Sequence, residues 1–220
     1  MIASLTPQER LYSNLPALDL IYRAPDTCPM TSTPLLSATD LGVIRGERVL
    51  FRDISIRLSA GDALLVRGSN GAGKTTLLRV LASLTEPQTG NCTRQACHWI
   101  GHRSGLKPHE TPRSHLRTWA TAWGGEKDQI PRILEELSLT RAADVEAAAL
   151  SAGQSKRTSL ARTQLIERPL WLLDEPFSTL DADGKTRVSA LIASHRQRGG
   201  AVIAAVHGDV PVPTTRELVL

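Results

Sequence analysis

Gly68-Ser69-Asn70-Gly71-Ala72-Gly73-Lys74-Thr75-Thr76 decides how the rest of this 220-residue chain is read. It fits the phosphate-loop pattern G-x-x-x-x-G-K-[ST] and runs straight into Leu77 and Leu78. The apolar run Ala63-Leu64-Leu65-Val66 before it reads as a buried strand, and residues 75–84 read as the helix that follows. Glycines suit a backbone that wraps closely around phosphate oxygens, where a side chain would intrude. Successive N–H groups and the helix N-terminus then offer positive potential to an anion. Lys74 is placed to reach β- and γ-phosphates, and the Thr75 hydroxyl to ligate Mg²⁺. The stretch predicts nucleotide binding.

With 41% hydrophobic and 22% charged residues, the composition is that of one globular domain. Its 26 basic and 22 acidic residues give a net charge of +4. They are spread along the chain, which argues for a solvated basic surface and against a nucleic-acid stripe. Such a surface also suits an acidic membrane face. Three cysteines cannot make a disulfide framework, and Cys92, Cys97 and His98 lack zinc-site spacing. No apolar run approaches the ~18 residues of a membrane span. The start lacks the features of a secretory signal. The expected location is therefore cytoplasmic, with any membrane attachment through a partner.

Residues 1–33 carry scattered prolines that break every periodic pattern and read as a disordered extension. Residues 34–220 read as the folded domain. Two alternating stretches, ending near Ile44 and spanning 49–58, predict antiparallel strands. The segment to Ala96 leaves room for a trimmed hairpin, and Cys97-His98-Trp99-Ile100 predicts a further strand. Residues 103–168, with helical spacing at 116–123 and 130–137, predict an inserted helical subdomain. Apolar runs at 170–173 and 201–206, with a helix over 185–197 between them, complete an alternation that predicts a parallel sheet with crossover helices.

Four of these strands end on polar groups: the phosphate loop, His102, Asp174-Glu175 and His207. Ligands of open α/β sheets sit beyond the carboxyl ends of the strands, so these tips should converge. Asp174 suits Mg²⁺ held through its water shell. Glu175 suits a general base that polarises the water attacking the γ-phosphorus. Leu150-Ser151-Ala152-Gly153-Gln154 offers a capping box, Ser151 with Gln154, which taken alone is how many helices start.

Together the phosphate loop, this pentapeptide with Lys156 and Arg157, Leu173-Asp174-Glu175-Pro176, Ser178-Thr179-Leu180-Asp181 and His207 resemble the ATP-binding-cassette (ABC) ATPases over residues 35–220. That resemblance implies a P-loop NTPase α/β fold, mostly parallel, with an antiparallel portion and a helical insertion. It implies ATP and Mg²⁺ as ligands, with Gly68 to Thr76 around the phosphates and Thr75 and Asp174 on the metal. Glu175, His207, His102 and Lys74 become the catalytic set. It also implies a head-to-tail homodimer, in which Ser151, Gly153, Gln154 and Asp181 serve the site shared with the other subunit.

Two positions depart from the family pattern. His102 stands where a glutamine is usual; a neutral imidazole keeps one donor and one acceptor. Arg45 stands where an aromatic usually stacks on adenine, and a guanidinium can stack on any purine. Gly101-His102 with Gly105-Leu106-Lys107-Pro108, and His195-Arg196-Gln197-Arg198-Gly199-Gly200, resemble the ATPase subunits of cytochrome c maturation systems. That narrower resemblance implies haem export, membrane partners like CcmB and CcmC, and a peripheral place on the cytoplasmic face of the inner membrane. Another small ABC transporter would share the general motifs. A regulatory module with negligible turnover is opposed by the intact Lys74, Asp174, Glu175 and His207.

Overall fold

A hairpin opens the described chain: β1 (Leu36–Arg45) and β2 (Arg48–Leu58) pair antiparallel across a two-residue turn whose Gly46 has φ +63°. The structure is a computed structural model that describes residues 33–213 and 216–220. Of the expected extension over 1–33, all but its last residue lies outside the described residues. β3 (Ala63–Arg67), α1 (Lys74–Leu81), β4 (Thr89–Arg94) and β5 (Cys97–Ile100) follow. Then come α2 (Pro112–Trp123), α3 (Ile130–Glu136), α4 (Ala152–Ala161), β6 (Leu170–Asp174), α5 (Ala182–Gln197), β7 (Ala201–Ala205) and β8 (Arg216–Val219).

The strands form two sheets. One is antiparallel, ordered β2-β1-β4; the other is parallel, ordered β5-β6-β7-β3-β8. Alternation along the parallel strands divides the core. Leu64, Val66, Leu170, Leu172 and Ile203 face α1 and the antiparallel sheet. Leu65, Trp171, Leu173, Val202 and Ala204 face α5, through Val188 and Ile192. A strand covered on both faces favours apolar side chains on both, which is why wholly buried β7 is apolar throughout and β6 is apolar up to its last residue, Asp174.

Two local expectations are corrected. The segment before Ala96 is no hairpin: β4 pairs with β1, extending the first sheet. The parallel sheet has five strands, because β8 adds to the free edge of β3. Only Leu218 of β8 is buried, so its sequence carries little strand signal.

Helices α2 and α3 close over their own core, in which Leu116, Ile130, Leu134 and Leu139 are buried. Capping and packing explain the start of α2: Thr111 and Ser114 form a capping box, and Pro112 fits the first turn, where its missing N–H is not needed. This core meets β5 through a ladder of rings and cations. His98 lies 5.2 Å from Trp123, and Trp123 lies 4.6 Å from Trp119. Arg168 and Arg162 stack over Trp123 and Trp119 at 5.1 and 5.0 Å. Burial pulls Arg162 down to about 10 and His98 down to about 4. Among the described residues no helix is long and apolar enough to cross a membrane.

Candidate active site

The phosphate loop connects β3 to α1, and its glycines answer local crowding. Gly68 has φ +145°, and a Cβ there would lie 2.8 Å from the Leu220 carbonyl oxygen. Gly73 has φ +106°, with a would-be Cβ 3.2 Å from the Phe51 ring, so the hairpin closes down on the loop. Gly73 is also the N-cap of α1; no side chain caps the helix and no acid occupies its first turn. The first N–H groups are therefore free of side-chain acceptors and present positive potential. Buried Lys74 folds back across the loop, donating to the carbonyls of Gly68 (2.7 Å) and Ser69 (2.9 Å). A cradle of backbone donors with a lysine over it fits a polyphosphate. Ser69, Asn70 and Gly71 are exposed at its crest, while Ala72 and Thr76 are half-buried.

Asp174, buried at the end of β6, accepts a hydrogen bond from Thr75 Oγ1 at 2.9 Å. A hydroxyl and a carboxylate in contact are hard oxygen donors of the kind Mg²⁺ takes. Among the described residues no group of three or more His, Cys, Asp or Glu is placed to hold a metal. Phosphate and water oxygens must therefore complete any shell here.

Glu175 is where the strand tips meet. Its φ is +51°, a left-handed conformation that costs a non-glycine residue about 1–3 kcal/mol. Its N–H donates to the Ala205 carbonyl, fastening it to β7. The carboxylate lies between two imidazoles: His102 Nδ1 is 3.1 Å from Oε2, and His207 Nε2 is 3.3 Å from Oε1. His102 follows β5 and His207 follows β7, so three strand ends deliver one cluster. A carboxylate has about four lone-pair sites, so two remain for a water.

Two cations hold the loops that carry these histidines. Lys156, on α4 and only 5% exposed, donates from Nζ to the His102 carbonyl at 3.1 Å. Burial pulls its ammonium below the usual lysine range, while Asp174 and Glu175 push it back up. Arg67, the last residue before the phosphate loop, forms two 3.0 Å hydrogen bonds to Glu217 and donates a third to the Gly208 carbonyl, next to His207. The Glu217 hydrogen bonds raise its pKa further. Sequence reasoning does not single out Arg67 and gives Lys156 no role in the site. Lys156 is visible there only as part of a basic helix.

The remaining candidates stand apart from this cluster. Arg45 is exposed at the end of β1, opposite Arg48. Ser151 and Gln154 form the capping box of α4. Gly153 packs on the loop after β6, where a Cβ would lie 3.0 Å from the Thr179 carbonyl oxygen. Asp181 caps α5, accepting from the Gly184 N–H at 2.8 Å.

Comparison with known proteins agrees with this geometry. A family model described as ABC transporter matches residues 51–178. The chain is 55% identical over 192 residues to the cytochrome c biogenesis ATP-binding export protein CcmA of Hyphomonas neptunium, covering 87% of this chain and 99% of that one. It is 40% identical to the protein of the same name from Maricaulis maris, over 88% of this chain and 94% of that one. Among solved structures, the ATP-binding subunit of an ABC transporter superposes with a TM-score of 0.71 at 25% identity, covering 79% of each chain.

Proposed function

Because the chain belongs to the ABC transporter family, as an ATP-binding and ATP-hydrolysing member, we propose that it powers haem export for cytochrome c biogenesis. The names of its CcmA relatives give ATP-binding export in cytochrome c biogenesis; haem as the exported species is added from the resemblance of the 101–108 and 195–200 stretches. In this role its membrane partners are subunits like CcmB and CcmC. It sits on the cytoplasmic face of the inner membrane, and hydrolysis drives release of a haem-loaded chaperone.

The observation that supports active hydrolysis is the grip of two histidines on Glu175, beside Thr75 and Asp174. Lys74 and the N–H groups of residues 68–76 hold the β- and γ-phosphates of ATP and spread their charge. Thr75 and Asp174 would hold Mg²⁺, which would supply positive charge to the phosphates. Glu175 takes a proton from water as the water oxygen bonds to the γ-phosphorus. The bond from that phosphorus to the β–γ bridging oxygen breaks, and ADP and phosphate leave. His102 and His207 keep the carboxylate facing the water. Ser151 is engaged in its capping box with Gln154, and Gly153 packs on Thr179 and Leu180. Neither contact is with the phosphate loop of their own chain, which supports a head-to-tail pair where they close on the partner's γ-phosphate. Gln154 and Asp181 belong to that shared edge, and Arg45 lies against the purine.

The test is Glu175→Gln in the full chain co-expressed with its membrane partners. Removing a general base should lower kcat by roughly 10²–10⁴ while ATP binding survives. Undiminished turnover would remove Glu175 from the role. Purification from membranes without co-purifying integral subunits would remove the transporter assignment.

A further inference from the structure

We propose that Lys156 is a positioning residue, tying the loop that carries His102 to the start of helix α4 and so setting where His102 meets Glu175. The inference rests on reading Glu175 as the base, and on three observations.

The first is burial. A lysine rarely gives up solvent unless its charge is answered, because the ammonium loses its hydration. Lys156 is 5% exposed, and its ammonium donates to one main-chain carbonyl, that of His102. The second is the state of the receiving segment. Residues 101–107 have neither helix nor strand. The local hydrogen bonds there begin at Ser104, with Leu106 N–H to Ser104 Oγ and Lys107 N–H to Glu110, so the path at His102 leans on the bond from Lys156. The bond from Lys156 comes from a helix, whereas the His102 side chain itself is 62% exposed. The third is where the helix begins. Lys156 sits just over one turn beyond the Ser151 cap, and Gly153 between them touches the loop after β6. A displacement of α4 therefore moves the His102 carbonyl and, with it, the imidazole on Glu175. The base is correctly gripped only while α4 is seated.

A neutral side chain of similar length at this position would fill the space but release the loop. Lys74, the other buried lysine near the carboxylates, cannot substitute, since its ammonium is engaged by Gly68 and Ser69.

The experiment is a double-mutant cycle on ATP hydrolysis by the full chain with its membrane partners. Lys156→Met should lower kcat by about tenfold or more and leave KM for ATP within about twofold, because the phosphate contacts lie on another element. In a His102→Ala background the same substitution should change kcat by less than about twofold, since the group being positioned is gone. Full effects in both backgrounds would mean that Lys156 acts directly on the charges of Asp174 and Glu175, and would overturn the proposal. Should Lys156→Met not fold, Lys156→Leu, which also lacks a donor, carries the same cycle. Hydrogen exchange supplies a readout independent of turnover: either variant should speed exchange at 101–105 and leave exchange at 68–76 unchanged. Unchanged exchange at 101–105 would also overturn it. Glu175→Gln in the same assay separates the two readings: turnover surviving that change would refute both, whereas an inactive Glu175→Gln with an additive cycle refutes only the role of Lys156.

Discussion

Lowering the pH from 7 to 5 should cost the wild-type fold about 2 kcal/mol through His98 alone. The side chain is 1% exposed, Nε2 pairs with the Ile166 carbonyl at 2.9 Å, and Nδ1 is buried without a partner. A second proton would have to land on that isolated nitrogen. Burial, first among the causes, holds its pKa at about 4, and the nearby positive charge of Arg168 acts in the same direction. In the unfolded chain the same imidazole titrates at about 6.5. Between these values the unfolded state binds the proton and the folded state does not, so stability falls as the pH falls. The contribution is complete above pH 6.5, declines by roughly 1.4 kcal/mol per pH unit, and is exhausted below about pH 4. His195, also held near 4 by burial, adds a loss of similar size, so the variant matters more than the total. His98→Gln keeps a donor for Ile166 and cannot titrate. Urea unfolding at pH 7 and pH 5 should show a drop in stability about 2 kcal/mol smaller for this variant than for wild type. Equal drops would show that His98 is not the buried neutral group described, whatever the absolute stability of the variant.

Two further substitutions test how the framework holds the site. Arg67→Met breaks the link from β3 to Glu217 and Gly208; it should lower kcat by about tenfold through His207, with KM unchanged, and cost only about 1 kcal/mol in urea unfolding because the ion pair is partly exposed. Gly90→Ala should be severe: φ is +81°, and the new Cβ would lie 2.2 Å from the Thr39 carbonyl oxygen. A cost of about 3 kcal/mol would lower Tm by roughly 6–12 °C. Gly46→Ala, with φ +63° and nothing within 4 Å of the new Cβ, should cost only about 1–2 kcal/mol, so equal Tm losses would contradict this account.

What could be read from the sequence was whatever is local. The phosphate loop is contiguous, and its glycines and lysine declare themselves by spacing. The buried strands β6 and β7 are legible because two covered faces demand unbroken apolar runs. The Ser151–Gln154 box is legible because its partners are three residues apart. β4 and β8 were not, because each is short and lies at a sheet edge with most side chains in solvent. The same division runs through the site. Convergence of His102, Glu175 and His207 follows from strand tips, but the grip on Glu175 depends on its left-handed backbone, which a residue before proline does not advertise. Lys156 reads as one more surface cation on a basic helix. Its burial comes from a loop 54 positions earlier in the chain, a relation that no periodicity contains.

The ring-and-cation ladder between β5 and the helical insertion also makes the molecule optically legible. The chain has four tryptophans: Trp99 and Trp171 lie on β5 and β6, Trp119 and Trp123 on α2. Indole emission responds to adjacent charge and to stacked rings. Here Arg162 and Arg168 stack over two of the indoles, while Trp171 lies 3.9 Å from His195, nearly parallel to it. Two of the four indoles, Trp119 and Trp123, therefore report on the seam where the insertion joins the sheet, and none of the four lies in the phosphate loop itself. A shift of α2 against β5 would change brightness and colour without any attached dye, so the seam can be followed in real time in the unmodified protein.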